Sequence, residues 1–346
     1  MNVKSVYVEI TNICNLNCKT CYNRSGLNKE KREISKDQLE KMIQLFLPFG
    51  LSRFLISGGE PVLHSEFEKI LDLIDEYPNL SFGIVTNGTN HNCKLIEYLN
   101  TRPNFTLQVS LDGSNEEQNS KTRGGGNFEK VLAFAKKINN ASTNPLLKMV
   151  ISQNNYDDIE NFYKLALSIN FTPEFAFIFK SGNGANAWED KTVSPQQKLK
   201  ALNLIDALNK KHNAQALLPF CTGKCPFTKG ADNLSLCVKS DGSIQPCQLL
   251  YHARYTLGNV YSFDLDSFNS RLNDIVAIAQ KRYHSDYGCK KCILNGYCGK
   301  GCMGVAANLN DDPCTSDGDC EFRKLQLIAH QMRSVFKQNL KEDNVQ

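Results

Sequence analysis

The chain lacks any apolar run approaching the roughly 20 residues that a membrane helix needs. Its start, MNVKSVYVEITN, also lacks the basic and then apolar pattern of a secretory signal. Both absences speak against a membrane-embedded or exported protein, and a soluble, cytoplasmic chain is expected. Charge of one sign is missing as well. Forty basic and 36 acidic residues leave a formal +4 over 346 residues, too little to single out nucleic acid or an anionic membrane as partner. Nor does a chain of this length need covalent staples, because it buries a core of ordinary size.

Cysteine, by contrast, is plentiful and unevenly placed. In a reducing compartment, fourteen cysteines point to thiolate ligands rather than disulfides, so a metal becomes the leading expectation. Ten of them lie between Cys221 and Cys320, whereas the 199 residues between Cys21 and Cys221 hold only Cys93. Two regions with different metal loads follow, with a boundary near residue 215. We expect a core over 1–214, a cysteine-rich unit over 215–330, and the end of a last helix with its tail over 331–346.

Within the core, strand-like and helix-like runs alternate. VYVEI, RFLIS, FGIVT, FTLQVSL, LLKMVIS and EFAFIF are short and rich in β-branched and aromatic residues, and the segments between them have helical periodicity. Ser35 with Gln38 and Ser65 with Glu68 fit capping boxes, and Ser194 precedes Pro195 at a helix start. Such alternation makes an α/β fold of six β–α units with a parallel sheet and its chemistry at the carboxyl ends of the strands. Six units are two short of a full barrel, which leaves an open sheet or a partial barrel.

The first of those carboxyl-end loops carries Cys14-x3-Cys18-x2-Cys21, with no fourth cysteine before Cys93. A structural zinc site wants four closed ligands, and only three are near. Three thiolates on a [4Fe–4S] cube leave one iron open for substrate. Zinc with a distant fourth ligand is the alternative.

At these residues the chain resembles the radical SAM superfamily, over nearly its whole length. The resemblance implies a partial (β/α)6 barrel, a cluster on Cys14, Cys18 and Cys21, and S-adenosylmethionine bound at the open iron. In that family an electron from the cluster breaks a carbon–sulfur bond of the cofactor to give a 5′-deoxyadenosyl radical, which abstracts hydrogen from an unactivated C–H bond. Gly58, Gly59, Glu60 and Pro61 after the second run, Thr86 and Asn87 after the third, and Ser110 and Asp112 after the fourth fall where the family contacts its cofactor. Glycines there admit close backbone approach and Glu60 accepts from an amine. By the resemblance, Ser110 and Arg123 hold the methionyl carboxylate, a task suited to a planar guanidinium. The family's aromatic residue before the third cysteine is Thr20 here, with Tyr22 directly after it as the candidate contact.

Further on, Cys289-x2-Cys292-x5-Cys298-x3-Cys302, preceded by Gly242-x4-Cys247 and LGNV and followed by Cys320, resembles the SPASM domain, which closes with a C-terminal helix. It implies two auxiliary [4Fe–4S] clusters, three in all. One would use Cys289, Cys292, Cys298 and Cys320, and the other Cys221, Cys225, Cys247 and Cys302. Zinc ribbons also use Cys-x2-Cys pairs, but spacings of five and three do not pair off that way. Cys314 is an alternative to Cys320. Cys93 reads as a small packing residue. Cys237, in LSLCVKSDG, reads as a buried strand thiol, a substitute ligand or a hydrogen-atom donor to a substrate radical.

SPASM enzymes most often modify peptides, so the resemblance implies an oxidoreductase that crosslinks or epimerises a ribosomally made precursor peptide. It also implies an electron donor such as flavodoxin or ferredoxin. Only thirteen residues precede Cys14, so a leader-peptide recognition protein is expected to be separate or absent. In the sulfatase-maturing branch an Asp base follows the cysteine at position 247. Here Gln248 stands there, and an amide takes no proton at neutral pH. A radical dehydrogenase or epimerase of a small molecule is the second reading. A zinc-stapled scaffold or nucleic-acid adaptor is the non-enzymatic one, and it predicts a colourless protein with a basic face.

Overall fold

A computed structural model describes residues 1–27, 30–102, 105–138, 144–217, 225–284, 289, 291–292, 294–295 and 298–329 of the chain. The six strand-like runs are strands: β1 (Val3–Thr11), β2 (Arg53–Gly58), β3 (Ser81–Thr86), β4 (Phe105–Ser110), β5 (Leu146–Ile151) and β6 (Thr172–Phe177). Between them lie α1 (Lys36–Phe46), α2 (Phe67–Asp75), α3 (Cys93–Thr101), α4 (Glu116–Arg123), α5 (Phe128–Ala135) and α6 (Ile159–Ser168). Adjacent strands pair in parallel from β1 to β6.

Parallel strands covered on both faces read as continuous apolar runs, yet β4 and β5 alternate. Phe105, Leu107, Val109, Leu147, Met149 and Ile151 are buried in the core, while Thr106, Gln108, Ser110 and Lys148 line a cavity on the other face. The alternation arises because one face of the sheet meets helices and the other a polar cavity. All six strands contribute to that one cavity wall. The sheet is therefore curled into a partial barrel, although no strand pair closes it among the described residues.

The helix starts follow their caps in two cases of three. Ser35 and Gln38 form a capping box on α1. After two single turns, α7 (Asn183–Asn186) and α8 (Trp188–Lys191), Ser194 and Gln197 do the same on α9 (Pro195–His212) with Pro195 in its first turn. The box expected from Ser65 and Glu68 does not form. α2 begins behind Glu66, and the Ser65 hydroxyl donates instead to Glu33 Oε2 at 2.5 Å. Cys93 is exposed rather than packed, because the apolar stripe of α3 is Leu95, Tyr98 and Leu99 and position 93 lies off it.

The sheet order is β6-β5-β4-β3-β2-β1-β7-β8-β9. β7 (Leu234–Val238) lies parallel to β1, with Tyr7 opposite Cys237, and β8 (Ser243–Gln245) and β9 (Gly258–Asn259) follow antiparallel. The cysteine-rich region thus begins as an extension of the core sheet. α10 (Leu265–His284), α11 (Met303–Asn310) and a helical run over 320–329 complete it. That last run docks on the barrel: the rings of Phe322 and Phe177 meet edge to face at 6.0 Å. Lys198 of α9, 5% exposed, lies over both rings and pairs with Asp319.

Candidate active site

The loop after β1 carries Cys14, Cys18 and Cys21, and neighbouring loops at the carboxyl ends of the strands hold it. From the β2 side, Gly59 N–H donates to Thr11 O at 2.7 Å and Glu60 N–H to Ile13 O at 2.8 Å. Backbones meet so closely here that a Cβ on Gly59 would lie 2.1 Å from Ile13 O. From the loop after β6, Asn183 N–H donates to Cys21 O at 2.8 Å, its side-chain amide to Cys18 O at 2.9 Å, and Ser181 Oγ to Tyr22 O at 2.9 Å. Gly182 between them has φ +57°, and a Cβ there would lie 2.4 Å from Tyr22 O. From α4, Thr122 O accepts Lys19 N–H at 2.8 Å. The Ser181-Gly182-Asn183 clamp escaped the sequence reading, although a Gly-Asn turn closing the sixth strand is the same kind of signal as Gly58-Gly59.

The three thiols open onto one cavity of about 480 Å³. Of the residues expected to contact a cofactor, Tyr22, Gly58, Gly59, Thr86, Asn87, Ser110 and Arg123 line it. Glu60, Pro61 and Asp112 stand back from it. Pro61 is buried at the start of a short 3-10 turn. Both oxygens of Glu60 are engaged, one by the Thr86 hydroxyl at 2.6 Å and the other by Asn87 N–H at 2.7 Å. Complete burial nonetheless pushes its carboxyl up to about 7. Asp112, with no exposed surface, accepts from Val150 N–H at 2.9 Å and the Thr122 hydroxyl at 3.0 Å. It also pairs with Arg123 Nε at 3.0 Å, which sets that guanidinium against the cavity with Nη1 4.0 Å from Cys18 Sγ.

Tyr7 and Tyr22 share a hydroxyl contact of 3.1 Å, and Tyr7 donates to Ser57 Oγ at 2.5 Å. Burial holds both phenols well above their ordinary range, so both stay protonated on the cavity wall. Cys237 has no exposed surface and is not part of that wall; burial, followed by the nearby Glu9 carboxylate, raises its thiol strongly. Gln248, from the cysteine-rich region, does line the cavity.

The remaining cysteines gather in two places. Cys289, Cys292, Cys298, Cys314 and Cys320 line a second cavity of about 70 Å³ with Arg282 and Arg323. Cys225, Cys247 and Cys302 lie near one another: burial pushes Cys247 up to about 12, with Cys302 and Cys225 adding to it, and Cys225 up to about 11, with Cys302 adding to it. Cys221 lies outside the described residues. Asp317 bridges the two groups, accepting Cys302 N–H at 2.9 Å while pairing with the buried Arg323.

The donor set of the first cavity suits a cluster. Burial pushes Cys14 up to about 12 and Cys18 to about 11, so thiolates form there only against a strong positive charge such as bound iron. Among the described residues, no three His, Cys, Asp or Glu side chains converge as the ligands of a single metal ion do.

Residues 8–166 match the family model of the Radical SAM superfamily. The mycofactocin maturase MftC of Mycolicibacterium smegmatis is 25% identical over 270 residues, covering 73% of this chain and 66% of its own length. This chain thus spans about two thirds of that relative. Among solved structures, anSMEcpe with bound AdoMet and Kp18Cys peptide superposes with a TM-score of 0.75 at 21% identity, over 97% of this chain and 99% of that one. Streptococcus suis SuiB bound to precursor peptide SuiA gives 0.73 at 17% identity, over 92% and 76%. At these identities the two structures show a shared fold.

Proposed function

We propose that this chain, whose residues 8–166 match the Radical SAM superfamily model, is a radical SAM enzyme that modifies a ribosomally made peptide in the cytoplasm. The observation that carries the proposal is the wall of the first cavity. Three thiols stand there beside Gln248, contributed by the cysteine-rich region, so the substrate chamber is closed by both parts of the chain. Relatives and neighbours whose names include a maturase and precursor-peptide complexes support a peptide as the substrate.

Cys14, Cys18 and Cys21 would hold a [4Fe–4S] cluster, which together with S-adenosylmethionine supplies a 5′-deoxyadenosyl radical. Arg123, held by Asp112, offers a cation for the methionyl carboxylate, with Ser110 on the same wall. Tyr7 and Tyr22 remain neutral on the chamber wall. Two further clusters are assigned to Cys289, Cys292, Cys298 and Cys320, with Cys314 at the same cavity, and to Cys221, Cys225, Cys247 and Cys302. Gln248 accepts no proton at neutral pH, which disfavours formylglycine formation and favours a crosslink or an epimerised residue. A flavodoxin or ferredoxin would supply electrons.

Anaerobic purification, with iron and sulfide counted, tests the cluster assignment. Release of 5′-deoxyadenosine under dithionite tests the cofactor. A colourless chain that releases none overturns the proposal, and mass spectrometry of a candidate precursor then reads the bond made.

A further inference from the structure

Asn87, marked by the sequence as a cofactor contact, has its amide already committed. Its Oδ1 accepts from Thr89 twice, from the backbone N–H at 2.9 Å and the hydroxyl at 2.6 Å. The amide nitrogen must therefore face the other way, where it donates to Asn15 Oδ1 at 2.9 Å and reaches Cys14 Sγ at 3.9 Å. Asn15 in turn donates its own amide to Thr89 Oγ1 at 2.9 Å. These bonds form a closed ring, Thr89 to Asn87 to Asn15 and back, which fixes the orientation of both amides. The Asn87 backbone is pinned as well, through its N–H to Glu60. Asn87 and Thr89 are each 8% exposed, so water does not compete readily for these groups.

We propose that Asn87 is a positioning residue for the reaction: the ring with Asn15 and Thr89 aims its amide at Cys14 as an N–H···S donor and raises the reduction potential of the cluster held there. This rests on the radical SAM reading above. A donor to a ligating sulfur withdraws negative charge and so favours the reduced, more negative cluster. The Leu16 backbone N–H makes a similar contact to Cys14 at 3.4 Å, but only the Asn87 contact depends on side chains that substitution can remove.

The test is a potentiometric titration of the anaerobic holoenzyme, following the electron paramagnetic resonance signal that S-adenosylmethionine perturbs. Wild type is compared with Asn87→Ala and with Thr89→Val, which keeps the shape of Thr89 but opens the ring. At the wild-type midpoint, the reduced-to-oxidised ratio should fall about three- to tenfold in Asn87→Ala, the upper figure being 59 mV for a one-electron couple. The fall should be smaller in Thr89→Val, with iron content unchanged. A midpoint that ignores both substitutions at full iron overturns the proposal. Loss of iron from both variants also overturns it, since the ring would then hold the loop rather than tune it. A wild-type chain that takes up no cluster sinks the radical SAM reading itself, and this inference with it.

Discussion

Replacing Gly59 by Ala tests whether the turn after β2 holds the cysteine loop in place. The added methyl would meet the Ile13–Cys14 peptide: 2.1 Å from Ile13 O, 2.4 Å from Ile13 C and 2.9 Å from Cys14 N. Relief to ordinary contact requires the two loops to part by about 1 Å. The bonds of 2.7 Å from Gly59 N–H and 2.8 Å from Glu60 N–H then stretch past the useful hydrogen-bond range. Each buried donor left unsatisfied costs about 1–3 kcal/mol, so the loss is about 2–6 kcal/mol against a total stability of about 5–15 kcal/mol. Because the strain is local and the apolar side of the sheet is untouched, the loop should detach before the chain unfolds. Iron per chain should fall by about four atoms, deoxyadenosine release should vanish, and the melting point should drop by several degrees. A Gly59→Ala enzyme with full iron and undiminished release would refute the reasoning.

Three further outcomes follow from buried groups. Cys237→Ala should cost stability on the order of 1 kcal/mol and leave deuterium incorporation into the peptide unchanged in heavy water; lost incorporation would instead make Cys237 the hydrogen donor. His64 accepts Glu66 N–H at Nδ1 and contacts Ile34 O through Nε2, each at 3.0 Å, and burial lowers its pKa from 6.5. Below about pH 6.5 the folded chain therefore binds fewer protons than the unfolded one, so this stabilisation is present above about pH 6.5 and is lost as pH falls from there toward the lower folded value. In thermal melts the advantage of wild type over His64→Gln should narrow between about pH 8 and 5, and a constant gap would exclude the effect. Lys198→Ala should loosen the run over 320–329 by about 1–3 kcal/mol, since it strands the partly buried Asp319 and uncovers two rings. Faster tryptic cleavage of that run would show it, and an unaltered melt would argue against it.

Much of the architecture is legible in the residues themselves. The six strands follow from short β-branched runs, and the caps at Ser35 and Ser194 follow from spacing. Ser65 shows where such reading stops. Its spacing is right, but a carboxylate 32 residues away takes its hydroxyl, and no local pattern reports that. The same limit applies at Glu60 and Asp112, which lie on the loops after β2 and β4 but have their side chains occupied by Thr86, Asn87, Val150 and Arg123. Asn183, lacking any cysteine or charge to draw notice, holds the carbonyls of Cys18 and Cys21.

Sequence alone determined which chemistry is possible here, because thiolate spacing and strand order are properties of the chain read in one dimension. Tertiary structure decided which groups meet. Gln248 reaches the same chamber as Cys14, Cys314 and Cys320 share a second cavity, and Asn87 faces a sulfur 73 residues away. Those meetings depend on strand register and on how the sheet curls, and both are set by the packing of the whole core rather than by any one segment.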